Sequence, residues 1–163
     1  NSGGTYDATS GTTTITGETG NDAWVDQGTF THNKGLVKIA PSTDIEDTII
    51  TTNTNGHFYD LEIDMDGSSD KVFPNPNGGT LQILNDLIIT TGKFDDNSNS
   101  DVYIIHGNTI VESNGSFGTA TNWHTGNITH HGLVVLNGGT YYRSSAGGTV
   151  KMGGIRNIGG SVL

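Results

Sequence analysis

Residues 28–39 read GTFTHNKGLVKI, and a closely similar phrase, GNITHHGLVVL, returns at residues 126–136. Each copy follows a tryptophan, Trp24 in the first case and Trp123 in the second. Both copies predict a short strand, a polar turn closed by glycine, and a second short apolar strand. Self-similar strand–turn units are typical of chains that coil and stack, so the phrase indicates a repeating architecture and not a fold built around one pocket.

A strict alternation of apolar and polar residues occupies residues 58–65, FYDLEIDM. A period of two residues predicts a strand with one buried face and one solvated face. The solvated face of this strand carries three acids: Asp60, Glu62 and Asp64.

From residue 79 onward, short apolar groups alternate with corners rich in asparagine and glycine, such as NGG at residues 137–139. This spacing predicts strands of about 3–5 residues separated by short turns. In a β-sandwich the turn signals lie farther apart, at about every 8–12 residues. We therefore predict one all-β domain over residues 1–163, a β-solenoid with short strands and Gly/Asn corners. A right-handed parallel β-helix is the favoured form, and an antiparallel β-sandwich is the alternative. An irregular loop is expected at residues 74–79, PNPNGG.

The composition is consistent with a narrow repeating core and excludes some classes of binding partner. Hydrophobic residues make up only 31% of the chain, which suffices when each coil needs only a few inward side chains. The net charge of −10, with seven scattered basic residues, argues against nucleic acid, because phosphate binding requires clustered Lys and Arg. No apolar run approaches about 18 residues, so membrane insertion is not expected. The absence of cysteine excludes disulfides and thiolate metal sites.

The phrases at residues 28–33, 57–63 and 79–94 resemble β-solenoid repeats in structural proteins of tailed bacteriophages, especially marine ones. They also resemble repeats of bacterial autotransporter-like adhesins. The resemblance extends over residues 12–155 and brings no catalytic residues with it. It implies a non-catalytic structural protein at the virion surface, either a capsid decoration protein or a fibre. An adhesin repeat at the bacterial cell surface and a fragment of a polysaccharide depolymerase are the alternatives.

Partners are expected at the ends and corners of the solenoid. The chain begins at Asn1 without an initiator methionine, which predicts a fragment of a longer protein. An open solenoid end exposes strand edges, so a longer chain or a homo-oligomer, with a trimer as one candidate, is expected to cover it. Other virion proteins and a host-surface glycan are the further expected partners.

One polar segment has the spacing of a cation loop. Oxygen-bearing side chains stand there at alternate positions: Asp95, Asn97, Asn99 and Asp101. They match the first half of a calcium loop, but Ser100 and His106 stand where an EF-hand requires Gly and Glu. An EF-hand is therefore excluded, and the choice is between a looser structural calcium site, with no other cofactor expected, and a solvated corner. Residues 64–70 offer the same choice between a cation clamp and a plain β-turn.

The acids at residues 60, 62 and 64 also raise the question of glycoside hydrolysis. Alternate strand positions lie about 6.6 Å apart, which overlaps the carboxylate spacing of about 6.5–9.5 Å in inverting glycosidases. Any acidic strand face satisfies this spacing, however, and neither an arginine nor an aromatic cluster flanks it. The chain is therefore predicted not to be an enzyme.

The histidines and aromatic residues are assigned structural roles. His130 and His131 are adjacent in a predicted strand and point to opposite faces, so they cannot chelate one metal together. His32 and His130 occupy matching repeat positions, which indicates a shared structural place. The tryptophans are predicted to pack the repeats, and Tyr141-Tyr142 is expected to place one ring inward and one outward.

Overall fold

The computed structural model describes residues 3–16, 22–42, 46–51, 56–76, 79–95, 101–120, 126–143 and 148–163. All regular structure in these ranges is β, and they contain no helix that could cross a membrane. The strands are β1 (Thr5–Asp7), β2 (Thr12–Ile15), β3 (Asp22–Asp26), β4 (Thr29–Thr31), β5 (Leu36–Ile39), β6 (Glu46–Thr51), β7 (Gly56–Phe58), β8 (Asp60–Asp64), β9 (Lys71–Asn75), β10 (Thr80–Ile83), β11 (Leu87–Phe94), β12 (Val102–Ile105), β13 (Thr109–Phe117), β14 (Asn127–Asn137), β15 (Thr140–Tyr141), β16 (Val150–Asn157) and β17 (Ser161–Val162).

These strands stack in parallel on three walls, and every strand pairing in the described residues is parallel. Wall A contains β2, β5, β8, the first parts of β11 and β13, and the second parts of β14 and β16. Wall B contains β7, β10, β12 and the first parts of β14 and β16, and β1 and β4 extend it as a separate pair. Wall C contains β3, β6, β9, the second parts of β11 and β13, β15 and β17.

The chain passes from wall B to wall A to wall C in each coil, so residues about one coil apart lie side by side. This arrangement confirms the predicted β-solenoid and excludes the antiparallel sandwich, because a sandwich pairs strands antiparallel.

The core is a set of ladders running along the solenoid. On wall A, one inward ladder consists of Val37, Leu61, Leu87, Thr109 and Val134. On wall C, the rings of Phe94, Phe117 and Tyr141 stack with centroid separations of 5.3 and 4.9 Å. All three rings are fully buried. Each buried large apolar side chain contributes about 1.5–3 kcal/mol, so a few per coil stabilise a chain of low overall hydrophobicity.

Glycines form a ladder of their own at the corner between walls A and C. Gly92 and Gly115 are in register, and Gly139 and Gly160 continue the same corner in the next two coils. A Cβ atom on Gly115, Gly139 or Gly160 would lie 2.3–2.4 Å from a backbone carbonyl oxygen of the preceding coil. Only glycine allows the coils to approach this closely, which confirms the predicted glycine corners.

Side-chain oxygens hold the corner between walls B and A. Asp60 Oδ1 accepts the backbone N–H of Asp86 at 2.9 Å, and Asp86 Oδ1 accepts that of Asn108 at 2.7 Å. Asn108 Oδ1 in turn accepts the N–H of Leu133 at 3.1 Å. Each of these side chains thus bonds the backbone of the following coil, and the row works as a polar ladder along the corner.

Two details differ from the sequence predictions. Strands β11, β13, β14 and β16 have 8–11 residues, longer than expected, because each bends through a corner while staying paired. A register shift at the bend absorbs one extra residue in β13 relative to β11, and one in β14 relative to β16. The predicted loop at residues 74–79 begins only at Pro76, because Pro74 lies in β9 opposite Ile49. In the part of the next coil that the structure describes, β11 pairs with β9 at Lys71 and Val72, before Pro74.

Candidate functional site

The acids on the outer side of wall A are bonded to neighbouring coils. Lys38 Nζ on β5 lies 3.1 Å from Glu62 Oε1 and 2.6 Å from Asp64 Oδ2 on β8. Thr90 Oγ1 donates to Glu62 Oε1 at 3.0 Å from the coil on the other side. The hydrogen bond to Asp64, followed by that to Glu62, raises the pKa of Lys38 against the opposing effect of burial.

This geometry determines what the three acids do. Asp60 belongs to the corner ladder, and Glu62 and Asp64 converge on one lysine, so each of them connects adjacent coils. The three carboxylates are therefore each bonded to an adjacent coil.

The segment with calcium-loop spacing is only partly described. Asn97 and Asn99 lie outside the described residues. Asp95 and Asp101 are both fully buried. Asp95 Oδ1 is 3.5 Å from Thr119 Oγ1, at the limit of a hydrogen bond, and Tyr103 OH lies 3.3 Å from Asp101 Oδ2. In the described residues, no group of three or more His, Cys, Asp or Glu side chains is arranged to hold a metal ion. The calcium site stays a prediction.

Residues 64–70 form a turn closed by an aspartate. Asp70 Oδ2 accepts the backbone N–H of Gly67 at 2.7 Å, and the N–H of Asp70 donates to Gly67 O at 3.1 Å. Asp70 is buried, Asp66 is exposed, and Asp64 is paired with Lys38. These bonds are those of a β-turn in which one carboxylate satisfies the backbone.

The adjacent histidines diverge as predicted, but the matched pair does not share one environment. His130 is buried, whereas His131 is exposed and stacks on His106 of the preceding coil at 5.1 Å. His32, predicted to match His130, instead lies outside the core against His57 and Tyr59. Burial, followed by the electrostatic effects of nearby His57 and Lys34, lowers the pKa of His32. The prediction of a shared place was wrong, because His130 stands at an inward position of β14 on wall B, whereas His32 follows the end of β4 at Thr31.

A buried polar chain inside the solenoid was missed by sequence reasoning. Thr109 Oγ1 and His130 Nδ1 lie 2.7 Å apart, and His130 Nε2 and Tyr141 OH lie 3.0 Å apart. Burial raises the pKa of Tyr141. All three side chains are at most 1% exposed, so no substrate reaches them and the chain joins the three walls internally. Thr109 is recognisable as the polar member of an apolar inward ladder only once the register is known, so the sequence carried no usable signal for this chain.

Aromatic residues cluster at the N-terminal end of the described solenoid. Trp24 packs edge-on against Phe30 at 4.8 Å and Phe58 at 5.3 Å, which confirms its packing role. Tyr6 stacks on Phe30 at 5.9 Å and is 49% exposed. Trp123 lies outside the described residues. At the other end, Tyr141 points inward and is buried, and Tyr142 is half-buried, as predicted.

The outer surface of wall A changes from charged to apolar and back to charged along the solenoid. One outward ladder in register contains, in order, Thr14, Lys38, Glu62, Ile88, Ile110, Val135 and Arg156. Its middle section, Ile88, Ile110 and Val135, is a half-buried apolar stripe between the Lys38–Glu62 pair and Arg156. The stripe becomes visible only from the register, because its members are 22 and 25 residues apart in sequence.

No protein-family model, no curated protein sequence and no solved structure matches this chain.

Proposed function

We propose that this chain is a non-catalytic structural protein at the surface of a tailed-phage virion, acting as a capsid decoration protein or a fibre. The observation that supports the structural role is that side chains connect neighbouring coils throughout the part of the solenoid that the structure describes. Inward ladders, corner glycines, corner carboxylates and the Lys38 pairs all connect one coil to the next. Such an arrangement favours a stiff rod whose walls are available for contact.

The apolar stripe on wall A supports attachment to another protein. Flat outward aliphatic side chains in register form a surface suited to another protein rather than to a soluble sugar. The virion setting itself rests on the resemblance of the repeats, and the stripe fits either a capsid shell or a neighbouring fibre subunit.

Antibodies raised against the folded chain test whether the protein lies at the surface of a virion. Immunogold labelling is applied to purified virus particles and to host cells from the source of the sequence. The proposal expects gold on the particles and little on uninfected cells. Labelling of the cell envelope alone would overturn it in favour of the adhesin.

A parallel assay addresses the catalytic alternative. The chain is incubated with surface polysaccharides of the host, and reducing ends are measured for the unmodified protein and for Asp60→Asn and Glu62→Gln. The proposal expects no release above the buffer control. Release that both variants abolish would identify a depolymerase instead.

A further inference from the structure

The charges of this chain are separated along the solenoid axis. Residues 1–33 contain four acids and no lysine or arginine, whereas residues 113–163 contain three basic residues and no acid. Asp7 and Asp22 are exposed on the first described coil. Arg143, Lys151 and Arg156 are exposed at the opposite end. The two ends of the described solenoid therefore carry opposite charge although the whole chain is acidic.

Both ends of the described solenoid also expose apolar side chains that belong to its inward ladders. At the first end, Tyr6 and Trp24 border a depression of about 310 Å³. At the second end, Met152, Ile155 and Val162 border one of about 420 Å³. Ile155 is 49% and Val162 40% exposed, while their neighbours one coil earlier on the same walls, Val134 and Tyr141, are fully buried.

The backbone edges at the two ends are equally open in the described part of the chain. There, β1, β2 and β3 each pair on one side only, and so do β16 and β17. The facing strand lengths agree: β1 has three residues, like the wall B part of β16, and β2 has four, like its wall A part. Parallel pairing of the two ends would therefore continue two walls without a change in length.

We propose that the basic end of one molecule binds the acidic end of a second copy, head to tail, with strands continuing from copy to copy. This inference rests on the proposed structural function and specifies the partner as a second copy of the chain. Lys151 projects outward from β16 on wall B, as its register with Thr129 requires, and Asp7 projects outward from β1 on the same wall. Stacking places Lys151 of one copy next to Asp7 of the other. It also encloses Tyr6 against the exposed apolar side chains of the second end, Met152, Ile155 and Val162.

The mode of association differs from a closed trimer. A head-to-tail contact uses two different surfaces, so each added copy leaves the same pair of ends free and the assembly stays open. The expected products are linear stacks of increasing length.

The chain contains no cysteine, so disulfides can form only between cysteines introduced by mutation. A variant carrying both Asp7→Cys and Lys151→Cys is oxidised under mild conditions and run on a non-reducing gel. Its two cysteines sit on the first and last rungs, about 29 Å apart at about 4.8 Å per rung, so they cannot bridge within one molecule. We expect a ladder of dimers, trimers and longer species. The control replaces Asp7→Cys with Asp66→Cys, which is exposed on a side turn, and is expected to give no ladder.

Charge reversal supplies the second measurement, by sedimentation velocity over a range of protein concentrations. Asp7→Lys and Lys151→Glu are each expected to reduce the stacked fraction at least tenfold. The combined variant restores stacking, and Asp66→Lys leaves it unchanged. Circular dichroism verifies that every variant is folded. A folded, unmodified chain that stays monomeric at every concentration, or equal ladders from the variant and its control, overturns the proposal. Virion labelling is scored separately, so failure of stacking and failure of the virion setting are distinguishable.

Discussion

At the scale of single residues, Lys38 shows how this fold uses its few charges. One ammonium group serves two carboxylates of the next coil, at 3.1 and 2.6 Å. The three side chains are 16–29% exposed, so solvent screens the pair and its contribution is modest. The raised pKa of Lys38 means that folding favours its charged form.

Replacing Lys38 with methionine should lower stability in a pH-dependent way. The folded pKa lies above the ordinary value of 10.5, so the stabilisation is complete below that pH and disappears as pH rises through the folded value. We expect Lys38→Met to cost about 1 kcal/mol or less at pH 8, and the difference from the unmodified protein to shrink as the pH rises above 10.5. Urea unfolding at pH 8 and over a series of pH values above 10.5 measures it. Lys34→Met, on an exposed corner, is the control, and a difference that stays constant over the whole series would contradict the assignment.

At the scale of elements, the corners decide how closely the strands stack. Strands separated by about 4.8 Å leave little space where the backbone turns between walls. At the corner between walls A and C, glycine provides that space, and at the corner between walls B and A, aspartate and asparagine oxygens accept the backbone N–H groups.

Adding one methyl group at a corner glycine that packs against the preceding coil should therefore be far more damaging than adding one at a corner glycine of the first described coil. A Cβ atom at residue 139 would lie 2.4 Å from the carbonyl oxygen of Glu112, which is backbone and cannot rotate away. We expect Gly139→Ala to destabilise the fold by at least about 2 kcal/mol. Gly11→Ala, whose Cβ would meet only the Thr9 hydroxyl at 3.5 Å, should change stability by about 0.5 kcal/mol or less. Thermal unfolding compares the two, and equal midpoints would be incompatible with corner packing.

At the scale of the whole molecule, the solenoid is close to one-dimensional, because each coil contacts chiefly its two neighbours. Inner coils have a neighbour on both sides, whereas the two end coils of the described part have one. Core burial follows the same gradient, from fully buried Phe94 and Phe117 near the middle to 49% exposed Tyr6 and Ile155 at the ends.

Hydrogen exchange should reveal this gradient directly. We expect the slowest amide exchange in β11 and β13, and exchange faster by at least tenfold in β1, β2 and β17, because end coils open without unfolding the middle. The measurement uses the Asp7→Lys variant at low concentration, so that stacking of copies does not protect the ends. Uniform protection from end to end would show that the chain opens only as one unit.

The amino-acid sequence by itself determined the architecture of this protein. The period-two alternation at residues 60–64 and the Gly/Asn corners are local properties, set by side-chain direction in a strand and by backbone freedom in a turn. These patterns can therefore be recognised in the sequence without any knowledge of which strands pair. The inward and outward division of His130 and His131, and of Tyr141 and Tyr142, follows from the same period.

Only the tertiary structure decided which residues meet. Coil length varies, from 26 residues between Leu61 and Leu87 to 21 between Val134 and Ile155. No fixed period therefore predicts the register. The Lys38 pairs, the Thr109–His130–Tyr141 chain and the apolar stripe on wall A all depend on that register. The separation of charge along the chain is present in the sequence, but only the stacking of the coils places the acidic and basic parts at opposite ends of the described solenoid.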